Sequence, residues 1–211
     1  MANQPGEELV AILDGIQIQV RDVKLLTHPK AWIPDSVIGF YLENLRLDFE
    51  DNPERDKDDV GIIAPSVVQF IKITESNKEL LEMLQPLELP KKKLILVPVN
   101  NADPVASSNG THWSLLVIDT AKKRSIHVDT LDMNSTSAKG IMGKLSVFLD
   151  WPSHGIMFKE FRDQRQVGTS VCGQHVMSNA RRAIEQFFGS DKDFDLIKDF
   201  NQVKNEEIFS G

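Results

Sequence analysis

Cysteine is almost absent from this chain: Cys172 stands alone among 211 residues. No internal disulfide can brace the fold, which fits a reducing compartment and raises the question of what a lone thiol does. Long apolar runs are missing too. Leu94 to Val99 and Trp113 to Ile118 are among the longest, far below the roughly 20 residues that cross a bilayer, so a membrane-spanning helix is excluded. The N-terminal stretch from Met1 to Glu8 lacks a basic segment followed by an apolar one, so no secretory signal is visible and a cytosolic or nuclear location is expected. Basic charge is outweighed, with 24 Lys and Arg against 31 Asp and Glu, a net charge of -7 and a pI near 5.3. That balance argues against sequence-independent binding to phosphate backbones, so nucleic acid is not an expected partner. Internal repeats and low-complexity tracts are also lacking.

What is present is an ordinary globular composition, 41% hydrophobic and 26% charged, and a length that suits one core. A single domain over residues 1–211 is expected, with flexible ends at 1–14 and 205–211. Trp32-Ile33-Pro34-Asp35-Ser36 breaks the pattern of the preceding segment. Asp35 or Ser36 can cap a helix there, followed by Val37, Phe40, Tyr41 and Leu45 at helical spacing. The acidic stretch from Asp48 to Asp59 reads as a loop, and helices follow near Pro65 to Ile73 and Asn77 to Leu84, with prolines 86 and 90 marking a turn. Strand character then takes over in Leu94 to Val99, His112 to Ile118 and Arg124 to Thr130. A helix over Ser137 to Leu149, a strand over Ile156 to Phe161, a helix starting near Cys172 and a final charged helix from Asp191 to Val203 complete the expectation.

A thiol attacks a carbonyl well only as thiolate. Cys172 falls at the start of a helix, where free N–H groups and the helix dipole favour negative charge. It also lies on that helix's apolar stripe with Val176, Ala180, Ala183 and Ile184, so a small core residue is the competing reading. For a base, the hairpin between the second and third strands ranks the histidines. A turn centred between Thr120 and Ala121 puts His112 directly opposite Asp129, with Cβ atoms within about 5.5 Å. Asp129 then accepts from one imidazole nitrogen and leaves the other for the thiol proton. His175, three residues after Cys172, is a rival base. His127 shares the face of Asp129 and is a packing neighbour or lesser rival, while His28 and His154 sit in loop contexts. Gln166, six residues before the cysteine in a polar loop, is a candidate oxyanion donor or simply a solvated side chain.

The order Thr111-His112-Trp113-Ser114-Leu115-Leu116-Val117, then Val128-Asp129-Thr130, then Gln166 and Cys172-Gly173 resembles the ubiquitin-like-protein-specific cysteine proteases, the sentrin/SUMO protease superfamily. Asp22 to Leu26, Trp32 to Phe40 and Ile63 to Lys72 resemble its deneddylase branch. The resemblance runs from about residue 15 to about 187. It implies an α+β, papain-like fold with a central, mainly antiparallel sheet and the nucleophile at the N-terminus of a packed helix. It also implies His112, Asp129 and Cys172 as the triad, Gln166 at the oxyanion, and Trp113 walling the channel for the modifier's Gly-Gly tail. Trp32 and Asp35 then fall in the segment that meets that tail. The implied reaction is cleavage after the C-terminal Gly-Gly of the neddylation modifier, in a precursor or in conjugates such as cullins, by a monomer without metal or cofactor. A SUMO-specific protease is the alternative of the same chemistry, and a catalytically silent modifier-binding module is the alternative of another class. One departure stands out: Val171 occupies the place before the cysteine where the family usually has Asp.

Overall fold

The structure, a computed structural model, describes residues 6–28, 30–53, 55–56, 58–103, 110–151, 157–162 and 170–189. At its centre lie β3 (Val60–Ile62), β4 (Leu94–Asn100), β5 (Trp113–Asp119), β6 (Arg124–Asp129) and β7 (Met157–Arg162), in that order across one sheet. Every residue of β4 and β5 is buried, which explains their near-continuous apolar sequences: both faces of the sheet are covered. Leu94, Leu96, Leu115, Val117, Ile126 and Val128 pack with α2 (Asp35–Glu50) and α6 (Cys172–Gly189). The alternating set Ile95, Val97, Val99, Leu116 and Ile118 packs with α3 (Pro65–Ile73), α4 (Asn77–Leu84) and α5 (Ser135–Phe148).

The α+β expectation holds, with a refinement of the sheet. The middle pairings β4–β5 and β5–β6 are antiparallel, but both edge pairings, β3–β4 and β6–β7, are parallel. The hairpin register also differs from the expected one. Asp119 pairs with Arg124 and Leu115 with Val128, so the turn is centred one residue later, between Ala121 and Lys122. Lys123 adopts a positive φ of 49° there, and the carboxylate of Asp119 accepts the N–H of Lys122 at 3.0 Å. Moving the centre by one residue slides the pairing by two, which preserves the face of every side chain.

Outside the main sheet, β1 (Leu9–Leu13) and β2 (Ile16–Gln19) form a hairpin, where a flexible end was expected over residues 1–14. Its turn is Asp14-Gly15, both at positive φ, as a tight two-residue hairpin requires. A short helix α1 (Val20–Leu26) follows. α2 begins at Asp35 after an N-cap at Pro34, without a side-chain cap. The Asp35 carboxylate instead accepts the N–H of its neighbour Ser36 at 3.0 Å. The charged helix expected over 191–203 lies outside the described residues.

Candidate active site

His112 occupies the position just before β5, where the β4–β5 ladder is extended by one residue. Asn101 N–H donates to His112 O at 3.3 Å, and the Asn101 side-chain oxygen accepts the N–H groups of His112 at 2.9 Å and Thr111 at 2.7 Å. The Lys72 ammonium donates to the carbonyls of Asn100, at 2.9 Å, and Ala102, tying the base of this loop to α3. The backbone under the imidazole is therefore fixed on both of its polar groups.

Asp129 ends β6. The corrected register places it opposite Ser114, so His112 is its diagonal neighbour rather than its direct partner. A diagonal pair still lies within reach of a side chain as long as histidine, and the imidazole Nε2 meets Asp129 Oδ1 at 2.5 Å with both residues buried. The carboxylate also accepts Leu131 N–H at 3.0 Å and Asn134 N–H at 2.9 Å. Burial pushes Asp129 upward, but the His112 bond and the two backbone donors outweigh it and hold the carboxyl well below the usual carboxylate range. Burial likewise pulls His112 down. Its hydrogen bonds to Asp129 and Cys172, and the negative charge facing it, prevail and push it up to about 9.

With Nε2 committed to Asp129, the other ring nitrogen is the one left for sulfur. His112 Nδ1 is buried without a nitrogen or oxygen partner among the described residues. Cys172 is buried at the first turn of α6, where the helix N–H groups lack intrahelical acceptors. The N-cap of that helix is Val171, whose carbonyl accepts His175 N–H at 3.1 Å. Its apolar side chain provides no acceptor for those N–H groups, so a developing negative charge meets no competing cap there.

Of the rival bases, His127 has a different partner and His175 shares α6 with Cys172. His175 is half-buried on α6, and both Asp129 oxygens are already engaged by His112, Leu131 and Asn134. His127 is buried, bonds Ser114 Oγ through Nε2 at 2.9 Å, and is pushed down in pKa by burial. Gln166 and His154 lie outside the described residues. Trp113 is buried in the same packed cluster as Cys172. Trp32 is 41% exposed, and exposed Asp35 lines a cleft of about 450 Å³ with Gln17, Gln19, Arg21 and Asp22.

The segment between Trp32 and Asp35 touches the start of α6 directly. A Cβ on Gly173 would lie 2.8 Å from Ile33 Cβ, so glycine there permits the close approach. Sequence reasoning missed Asn101, Ser114 and Asn134. Asn134 alone carried a local signal, as a cap-type residue directly before a helix.

These features coincide with a known family. The model of the Ulp1 protease family, C-terminal catalytic domain, matches residues 31–146. The chain belongs to the Ulp1 protease family. Its enzyme class is therefore cysteine-type peptidase. The chain is similar to human "Sentrin-specific protease 8", with 36% identity over 169 residues, 79% of this chain and 77% of that protein. "NEDD8-specific protease 1" of Arabidopsis thaliana is 28% identical over 191 residues, 89% of this chain and 80% of that protein. Among solved structures, the C-terminal Ulp1 protease domain in complex with Smt3, the yeast ortholog of SUMO, covers 94% of this chain and 83% of its own. Its TM-score is 0.62 at 19% identity. A de-sumoylating protease covers 86% of this chain and 73% of its own, with a TM-score of 0.64 at 21% identity. At those identities the likeness speaks to the fold, and it agrees with the papain-like expectation.

Proposed function

We propose that this Ulp1-family peptidase is a deneddylase, cleaving after the C-terminal Gly-Gly of the neddylation modifier in precursors, in conjugates such as cullins, or in both. The observation that carries the chemistry is the buried 2.5 Å bond between His112 and Asp129, with the opposite ring nitrogen left to Cys172. The choice of modifier is supported by relatives named for NEDD8. A monomer acting in cytosol or nucleus, where a thiol stays reduced, suits this reading.

In the proposed mechanism, the Cys172 thiol gives its proton to His112 Nδ1 and the thiolate attacks the carbonyl carbon of the terminal glycine. The oxyanion that forms is met by N–H groups at the start of α6 and by the side-chain amide of Gln166. Collapse of this intermediate breaks the C–N bond, and the imidazolium delivers its proton to the leaving amine. Water then adds to the thioester, its proton passing to His112, and the glycine carboxylate leaves as the thiolate is restored. Asp129 keeps Nε2–H oriented and stabilises the imidazolium throughout. Trp113 walls the passage for the two glycines, while Trp32 and Asp35 contact the residues before them.

A panel of thiol-reactive probes ending in Gly-Gly, built on the neddylation modifier, SUMO and ubiquitin, tests the assignment with Cys172→Ala as control. The expected result is fastest labelling by the neddylation-modifier probe, absent in the control. Preference for the SUMO probe would make this a SUMO protease. Binding without turnover by the unmutated, folded chain would make it a silent modifier-binding module.

A further inference from the structure

Asn134 is fully buried and sits at the N-cap of α5, where an asparagine ordinarily turns its side-chain oxygen back onto the helix N–H groups. No such bond forms. The amide Nδ2 instead points at the sheet, donating to Val99 O at 3.0 Å, to Ser114 Oγ at 2.9 Å and more weakly to His112 O at 3.4 Å. All three are acceptors, so the amide orientation is dictated by its surroundings. Its oxygen is left buried without a partner among the described residues, an arrangement that costs stability. Meanwhile its backbone N–H holds Asp129 Oδ2 at 2.9 Å. One side chain thus gives up its ordinary cap to reach the strand end that carries the imidazole, while its own backbone grips the carboxylate.

We propose that Asn134 is a positioning residue of the peptidase, setting the distance and angle between His112 and Asp129, with Ser114 as its anchor. This rests on the reading of Cys172, His112 and Asp129 as the triad. Ser114 is suited to the part: its hydroxyl receives the Asn134 amide and contacts His127 Nε2 at 2.9 Å, and His127 in turn stacks on Phe158 with ring centroids 6.3 Å apart. The hydroxyl of this anchor on β5 is therefore buried between the Asn134 amide and the His127 ring of β6, not free to rotate with solvent. Asn134 touches no substrate in this scheme; it acts through the geometry of the pair.

The test compares Asn134→Ala and Ser114→Ala with the unmutated chain, using enzyme counted by the neddylation-modifier probe and kcat and KM measured across pH. For Asn134→Ala the expected result is a fall in kcat of about 10- to 100-fold, the size of effect produced by misplacing a catalytic group by about 1 Å, with KM within about twofold. The alkaline limb of kcat/KM should also move from about 9 toward the unperturbed 6.5 as the His112 bond to Asp129 loosens. Ser114→Ala should move both readouts the same way by less, and it decides the matter if Asn134→Ala does not fold. A merely structural residue would reduce the count of competent enzyme without moving the limb. An unmoved limb with kcat within twofold in the folded variants, or a loss confined to KM, overturns the proposal. Failure of the triad reading looks different, since His112→Ala would then keep the wild-type rate.

Discussion

On one side of Cys172 stands a pair of buried side chains whose polar partners are themselves buried or half-buried. His112 is held through its backbone by Asn101 and through its ring by Asp129, which is itself gripped by two N–H groups. On the other side, the segment carrying Trp32 and Asp35 rests on α6 through Ile33 against Gly173, while Trp32 and Asp35 themselves face outward. The first region is built for fixed geometry in a low-dielectric setting, where each hydrogen bond is worth more and misplacement costs more. The second offers surface that a partner's chain can cover. Under the proposed function, chemistry falls to the first region and recognition to the second, and substitutions in the two should fail in different ways.

The largest effect is expected on the buried side. His112→Ala should lower kcat by at least about 1,000-fold, and Asp129→Asn by about 100- to 10,000-fold, through loss of the base and of its orientation respectively. Single-turnover kinetics with a Gly-Gly-terminated substrate would measure both. At the junction between the two regions, Gly173→Ala forces a Cβ into Ile33 at 2.8 Å. It should destabilise the fold by about 1–3 kcal/mol, visible in denaturant unfolding, and should depress kcat and raise KM together. On the exposed side, Trp32→Ala or Asp35→Ala should raise KM about 10-fold with kcat nearly unchanged, because the lost contacts are shared by ground and transition states. Stability there should stay within about 0.5 kcal/mol, as for other surface substitutions. A large kcat loss from either change would break the comparison.

A smaller effect lies in the pH dependence of stability. His112 is raised in the folded chain from 6.5 to about 9, so its contribution is fully present below about 6.5 and is lost as pH rises through about 9. Asp129 is lowered, so its contribution is present above its ordinary value of 3.8 and fades as pH falls below it. Asp129→Asn should therefore flatten the decline in melting temperature between pH 6.5 and 9.

The sequence made some of this legible and hid the rest for identifiable reasons. β4, β5 and β6 announced themselves because they are buried on both faces and rich in branched apolar residues. β3 did not: three residues after an acidic loop carry no periodicity, and only parallel pairing with β4 makes them a strand. The β1–β2 hairpin escaped because its Asp14-Gly15 turn joins strands with several apolar side chains exposed, such as Leu9 and Val10, which blurs the usual alternation. His112 and Asp129 were paired correctly even though the turn centre was misplaced, since a shift of two pairing positions leaves both on one face. Asn134 was invisible as a site residue. Its sequence signal is that of a helix cap, and nothing local distinguishes an asparagine that caps from one that reaches back to hold a strand.

The link between His112, Asp129 and Cys172 is open to direct measurement by NMR titration of the His112 imidazole, in the unmutated chain and in Asp129→Asn. A midpoint near 9 is expected in the first, and a fall toward 6.5 in the second. A midpoint near 6.5 in both would contradict that link, because His112 would then have neither the carboxylate nor the thiol as a working partner.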